Sequence, residues 1–261
     1  MEKILVNWQM KMELSKSKAS LLSSLSAKKM RKKYGIFLAE GEKCVSDMLG
    51  GFKLEYLVVS PEWITENSEK EIVRNNEVFV ASGNIIRKIS SLSTPSDIMG
   101  VFRLPETQLP ELDSNKLYLL LDGVQDPGNL GTIIRTADWF GIDTIFASST
   151  TVDVFNPKTV QSTMGSLSRV NVFYTDLTAL LASHRDMPSY GTFLDGKDIY
   201  KYKTENRGFL IMGNEGNGIS DEVRKLVAHP LLIPPYNPDA HGESLNVAIA
   251  TAIALSNFRF G

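Results

Sequence analysis

The chain has 261 residues, 43% hydrophobic and 22% charged, which is long enough for one large domain or two smaller ones with separate cores. No apolar run reaches the ~18 residues that a membrane span needs, and the first residues lack the apolar segment of a signal peptide. We therefore expect a cytoplasmic location and no membrane partner. The single cysteine, Cys44, excludes an intramolecular disulfide, and three scattered histidines lack metal-ligand spacing, so no metal is expected.

The net charge of −2 conceals a basic front half. Residues 1–105 hold 16 Lys and Arg against 12 Asp and Glu, whereas residues 106–261 hold 12 against 18. The basic excess is concentrated in one run, formed by Lys28, Lys29, Arg31, Lys32 and Lys33. Such a run is typical of an RNA-binding surface or of a solvated helix face, and charge alone does not distinguish the two.

The first hundred residues predict a small α/β domain. Apolar spacing and β-branched runs predict its elements in the following order: a helix at 12–33, a strand at 36–40, a helix through Val45 and Leu49, strands at 55–60 and 78–81, a helix at 84–92 and a strand at 98–104. Two prolines within six residues then indicate a linker. The predicted domains are therefore 1–104 and 116–261, joined by a linker at 105–115.

The second domain alternates strands and helices. Strands are predicted at 117–121, 144–147, 170–174, 191–194, 208–212 and 231–233, and helices at 130–140, 157–167, 177–183, 220–228 and 244–258. This alternation favours a mostly parallel sheet with helices on both faces. The final helix is apolar on nearly every side, so we expect it to be covered either by its own domain or by a second subunit.

Three polar turns follow predicted strands of the second domain, at 122–131, 212–220 and 234–246. Ligands of open α/β sheets bind at the carboxyl ends of strands. Glycines in the second turn let backbone amides approach a ligand, and the acidic Glu215 suits a neutral or cationic nucleoside, whereas Arg135 after the first turn suits a phosphate. Asn129 could equally be a helix cap, and Ser244 is predicted to cap the final helix. Neither a dinucleotide fingerprint nor a P-loop is present.

Together, the three turns resemble the signature of the SpoU-type (TrmH-type) RNA ribose 2'-O-methyltransferases of the SPOUT superfamily. The matching segments, in the expected order and separation, are NLGTIIRTADWFG, FLIMGNEGNGIS and LLIPPYNPDAHGESLNVAIATAIAL. Residues 13–49 further resemble the substrate-binding domain that many of these enzymes carry in front. The segment at 235–243 is longer than in many relatives, and residues 1–11 precede the usual opening, with Met12 as an alternative start.

The resemblance implies a homodimer with a deep trefoil knot in the catalytic domain, S-adenosylmethionine as cofactor, and a ribosomal-protein-like RNA-binding fold in the first domain. The implied catalytic residues are Arg135, Asn129, Glu215, Ser244 and Asn246. The implied cofactor-binding residues are Gly213, Asn214, Glu215, Gly216, Ile233, Leu245 and Asn246. The implied RNA-binding residues are Lys28, Lys29, Arg31, Lys32, Lys33 and Arg135.

Arginine is a poor general base because its pKa exceeds ~12, so we interpret Arg135 as a phosphate contact that stabilises developing negative charge and leave the proton acceptor open. The separate first domain favours ribosomal RNA over transfer RNA by analogy. A non-catalytic RNA-binding protein on the same scaffold, or a base methyltransferase of the same superfamily, is the alternative. All three turns and Arg135 are present, which favours the ribose methyltransferase.

Overall fold

The computed structural model describes residues 12–237 and 244–261, which form two compact units. The first unit holds the described residues up to Glu106 together with Phe155–Ser168, and the second holds Thr107–Val154 and Arg169–Gly261. Residues 1–11, predicted as a possible extension before Met12, lie outside the described residues. Most of the segment at 235–243, which is longer than in many relatives, also lies outside them. Within those residues, no helix is both long and apolar enough to cross a membrane.

A five-stranded mixed sheet forms the centre of the first unit. Its strands are β1 (Met12–Glu13), β2 (Ile36–Glu40), β3 (Leu54–Val59), β4 (Val78–Val80) and β5 (Ile98–Arg103). They lie in the order β1-β4-β3-β5-β2, with β1, β4 and β3 parallel and β5 antiparallel to both of its neighbours. The helices are α1 (Lys16–Ser24), α2 (Lys28–Tyr34), α3 (Glu42–Met48), α4 (Pro61–Asn67), α5 (Glu71–Arg74) and α6 (Gly83–Ile89).

The prediction of one helix over residues 12–33 is wrong, because the chain turns between α1 and α2. The guanidinium of Arg31 closes this turn: its Nη1 donates to the carbonyl oxygens of Leu25 at 2.6 Å and Ser26 at 2.8 Å. Apolar periodicity indicates which side of each helix is buried. It does not indicate that a side chain will donate to the free carbonyl oxygens at the end of a helix and so allow the chain to turn there. Helices α4 and α5 were not predicted from the sequence.

The segment Phe155–Ser168 belongs to the predicted second domain in sequence but packs within the first unit. The ring of Phe155 lies 4.8 Å from that of Phe37 and 5.9 Å from that of Phe52, measured between centroids. The close fit continues at Gly165, where a Cβ atom would lie 2.3 Å from the carboxylate of Asp47. Aromatic packing therefore joins this segment to the core of the first unit.

A six-stranded parallel sheet forms the second unit, as predicted. Its strands are β6 (Leu117–Leu121), β7 (Thr144–Ala147), β8 (Asn171–Tyr174), β9 (Ser189–Asp198), β10 (Gly208–Met212) and β11 (His229–Leu232). Their order is β11-β9-β10-β6-β7-β8, and every pairing is parallel. The central strands β6 and β10 are buried along their whole length, which is typical of strands covered on both faces.

The helices of the second unit begin at polar caps. They are α7 (Pro127–Trp139), α9 (Leu177–Ser183), α10 (Asp221–Arg224) and α11 (Val247–Phe260), while α8 (Pro157–Ser162) and a 3₁₀ turn (Ser166–Ser168) lie in the segment that packs with the first unit. Asp126 caps α7 by accepting from the amide of Asn129 at 2.8 Å, so Asn129 lies inside the first turn and is not the cap. The helix predicted at 220–228 is shorter than expected, because only Asp221–Arg224 is helical.

Candidate functional site

The carboxylate of Glu215 lies at the centre of a hydrogen-bonded cluster after β10. It accepts from the amides of Gln125 and Asp126 and from Nδ2 of Asn129, each at 3.1 Å. Burial alone would raise the pKa of Glu215, but these donors outweigh it, so the pKa lies below its usual value. Glu215 is therefore ionised at neutral pH and fixes the turn that leads into α7.

Asn246 extends this cluster to the third predicted turn. Its Nδ2 donates to Oδ1 of Asn129 at 3.0 Å, and its own Oδ1 accepts from the amides of Ala248 at 2.9 Å and Ile249 at 3.3 Å. Since Asn129 must donate to the carboxylate of Glu215, the network fixes the orientation of both side-chain amides. In the chain, Asn129 lies 86 residues before Glu215 and 117 residues before Asn246. The fold therefore brings together one residue from each of the three predicted turns.

The cap of the final helix differs from the prediction. Asn246, not Ser244, caps α11, which begins at Val247. Ser244 and Leu245 are instead exposed and line a cavity. Asn and Ser are about equally good caps, so the residue type could not decide between two candidates so close together.

The turn after β10 is held tightly by its own side chains. A Cβ atom on Gly213 would lie 2.2 Å from the backbone of Gly218, so the close approach of the two ends of this turn requires glycine. Asn214 donates to the carbonyl oxygen of Gly123 at 2.7 Å and accepts from the amides of Gly216 and Asn217 at 2.9 Å each. Both ends of its side-chain amide are thus occupied, and Asn214 shapes the turn.

A cavity of about 670 Å³ opens beside this turn. Six of the seven residues predicted to bind cofactor line it, namely Gly213, Asn214, Glu215, Gly216, Ile233 and Leu245, while Asn246 lies in the cluster behind. Apolar side chains and glycine backbone form most of the wall. Sequence reasoning missed a second part of the lining, which comes from residues 192–195 of β9 and from Arg224 in α10. The position of β9 beside β10 brings these residues to the cavity, and the sequence alone does not give that strand order.

Arg135 lies apart from the cluster and the cavity. It stands six residues after Asn129 on α7, which places it roughly 9 Å further along the helix and about 120° around it. Its side chain is exposed, and within the described parts of the chain it makes no hydrogen bond or ion pair. The structure therefore brings together Glu215, Asn129 and Asn246 but leaves Arg135 on an open face of α7.

The basic run of the first unit divides into one buried and four exposed residues. Arg31 is only 2% exposed and is held by the turn between α1 and α2, so its prediction as an RNA contact is wrong. Lys28, Lys29, Lys32 and Lys33 are exposed on α2. In the described residues no group of three His, Cys, Asp or Glu side chains could hold a metal ion.

Known proteins share both units. The model of the SpoU rRNA Methylase family matches residues 116–256, and that of the MRM3-like substrate binding domain matches residues 17–100. The 23S rRNA guanosine 2'-O-methyltransferase RlmP of Bacillus subtilis is 35% identical over 90% of this chain and 93% of its own length.

Solved structures agree with these matches. One from Porphyromonas gingivalis, described as an RNA methyltransferase of the TrmH family, is 40% identical with a TM-score of 0.83, over 94% of this chain and 98% of that one. An AdoMet-bound rRNA methyltransferase from Sinorhizobium meliloti is 30% identical with a TM-score of 0.81, over 95% and 96%. The resemblance of the three turns is confirmed, and the chain belongs to the SpoU rRNA methylase family.

Proposed function

We propose that this member of the SpoU family transfers a methyl group from S-adenosylmethionine to a ribose 2'-hydroxyl of ribosomal RNA. It is an RNA methyltransferase by its family. The observation that carries the proposal is the contact of Glu215 with Asn129 and of Asn129 with Asn246, because three distant segments converge there beside one cavity. Ribosomal RNA is favoured over transfer RNA by the named substrates of the relatives and by the match of residues 17–100 to a substrate-binding domain.

The cavity fits S-adenosylmethionine in size and chemistry. Its volume of about 670 Å³ falls within the range of roughly 300–1,000 Å³ that small ligands occupy. Ile233 and Leu245 offer apolar contacts for an adenine ring, and Gly213 lines the same cavity. S-adenosylmethionine supplies an electrophilic methyl group on a sulfonium centre.

The remaining chemistry falls to the side chains. A ribose hydroxyl is a weak nucleophile at neutral pH, so the protein must align its oxygen with the methyl group and favour loss of its proton. Arg135 binds the neighbouring phosphate and stabilises the negative charge that develops on the 2'-oxygen. Glu215, whose oxygens are occupied by three donors, keeps Asn129 and the start of α7 in place. Ser244 lines the cavity, and Asn246 holds Asn129 in the cluster behind it.

A second copy of the chain covers the open face of α7 and α11 in this proposal. Trp139 is 86% exposed and Phe260 is 82% exposed, and the two helices are joined where Arg259 donates to the carbonyl oxygen of Phe140 at 2.8 Å. An apolar surface of this kind is typical of a protein interface. Arg135 precedes Trp139 by four residues and shares its face, so dimerisation brings Arg135 to the subunit boundary. The proposed fold also includes the deep knot of the family.

The four exposed lysines of α2 form the proposed RNA-binding surface of the first unit. Among described residues, Lys29, Lys32 and Lys33 make no ion pair, whereas other basic residues such as Lys43 and Arg74 pair with carboxylates. Exposed lysines attract the phosphate backbone without reading its sequence. This surface holds the RNA, and the second unit performs the chemistry.

Methyl transfer with purified components tests the proposal. The protein is incubated with radiolabelled S-adenosylmethionine and with ribosomal RNA or transfer RNA from a strain that lacks the gene. We expect label in ribosomal RNA, recovered after nuclease digestion as a 2'-O-methylnucleoside. Label in transfer RNA alone would indicate that transfer RNA is the substrate. Label on a base would overturn the assignment to the ribose. No label in either RNA would support a non-catalytic RNA-binding protein.

A further inference from the structure

The outer wall of the cavity is built by an irregular stretch of β9. Tyr190 and Gly191 pair with β11, and pairing resumes only at Lys197 and Asp198, because the register shifts between Pro230 and Leu231. Residues 192–196 therefore bulge out of the ladder, and four of them line the cavity. Bulges of this kind aim side chains at sites next to a sheet.

Two charged side chains stand at this bulge. Nη2 of Arg224 donates to Oδ2 of Asp195 at 2.5 Å, and the guanidinium lies 4.4 Å from the ring centroid of Phe193. Their side chains are 45% and 67% exposed, and an ion pair so exposed contributes little to stability. The need for a stable fold therefore does not account for the pair.

Among the described residues that line the cavity, no other charged side chains form such a pair. Arg224 is the only cationic side chain among the described residues that line the cavity, and Glu215 is already engaged by three donors. The guanidinium has five N–H donors. Among the described residues, Asp195 accepts a hydrogen bond from it, so other N–H donors remain for a carboxylate. Stacking on Phe193 restricts its orientation in advance of binding.

We propose that Arg224 and Asp195 bind the amino-acid end of the cofactor, Arg224 its carboxylate and Asp195 its ammonium group. A lone carboxylate would be repelled by Asp195 and a lone ammonium by Arg224, whereas an amino-acid zwitterion satisfies both. The adenosine part occupies the apolar wall of Ile233 and Leu245. This assignment rests on the proposed function, because it takes S-adenosylmethionine as the ligand of the cavity.

Calorimetric titration with two ligands tests the assignment without turnover. S-adenosylhomocysteine carries the amino-acid end, and 5'-methylthioadenosine lacks it. We expect Arg224→Gln to weaken S-adenosylhomocysteine roughly tenfold, as loss of one charge-assisted hydrogen bond does, and to leave 5'-methylthioadenosine within about twofold. Asp195→Asn should show the same selectivity. Arg185→Gln, at an exposed arginine outside the cavity, is the matched control and should change neither affinity.

Each outcome decides a different question. If Arg224→Gln loses affinity equally for both ligands, or for neither, the assignment is overturned. Binding of S-adenosylhomocysteine by the unmodified protein would still support the proposed cofactor. Failure of the unmodified protein to bind S-adenosylhomocysteine would overturn both the assignment and the proposed cofactor. Because the pair is exposed, we expect thermal unfolding of both variants to match that of the unmodified protein, which keeps the comparison interpretable.

Discussion

Replacing Glu215 by glutamine tests the role of the central carboxylate. The side chain keeps its size but has one carbonyl oxygen where the carboxylate had two acceptors. If that oxygen keeps Asp126 and Asn129, the amide of Gln125 faces an NH₂ group and loses its partner. A hydrogen bond to a charged group contributes about 1.5–3 kcal/mol, and the half-buried position lets water replace part of it. We therefore expect a loss of about 1–2 kcal/mol in the free energy of unfolding, which lowers the melting temperature by roughly 2–4 °C.

The pH dependence of this loss follows from the lowered pKa of Glu215. A carboxyl group whose folded pKa lies below its ordinary value of 4.5 stabilises the fold above that pH, and the contribution disappears as pH falls through the folded pKa. The difference between Glu215→Gln and the unmodified protein should be constant from pH 6 to 8 and narrow below about pH 4.5. Thermal unfolding followed by circular dichroism measures it.

Glu222→Gln is the matched control, because Glu222 is an exposed glutamate in the first turn of α10 and lies outside the cluster around Glu215. It should leave the melting temperature unchanged. An equal effect of the two changes, or a Glu215→Gln protein as stable as the original at pH 7, would refute the reasoning.

Three further changes test the remaining parts of the account. Arg135→Ala should reduce methyl transfer at least 100-fold without altering calorimetric affinity for S-adenosylhomocysteine, and near-normal turnover would contradict its role. Trp139→Asp should convert dimers to monomers in sedimentation, whereas Tyr200→Asp, at an exposed aromatic residue outside α7 and α11, should not; a dimer in both would exclude the proposed interface. Lys29→Glu with Lys32→Glu should weaken RNA binding and reduce its salt dependence, whereas Arg31→Ala should chiefly lower the melting temperature; RNA affinity unaffected by the lysines would exclude α2 as the RNA surface.

The sheet of the second unit could be read from the sequence because its strands are short apolar runs bounded by glycine and polar turns. Leu117–Leu121 and Gly208–Met212 form at the predicted residues, since runs this short that are bounded by polar turns favour a buried strand over a helix. The three turns were also identified, because ligand sites of parallel sheets lie at strand ends.

The parts that escaped prediction depend on contacts between residues distant in sequence. The choice of Asn246 over Ser244 as the cap is tied to Asn129, 117 residues away. The bulge of β9 arises from its pairing with β11, and the packing of Phe155 depends on Phe37, which is distant in the chain but lies in the same unit. Local periodicity contains no information about such partners.

Mapping ribose methylation in cells tests the central claim most directly. Ribosomal RNA from a strain that lacks the gene, and from the same strain carrying the gene or its Arg135→Ala form, is compared for 2'-O-methyl groups at every nucleotide. The account predicts one or more ribose methyl groups that are absent without the gene, restored by the unmodified gene and not restored by Arg135→Ala. Identical ribose methylation of ribosomal RNA in all three strains would contradict it.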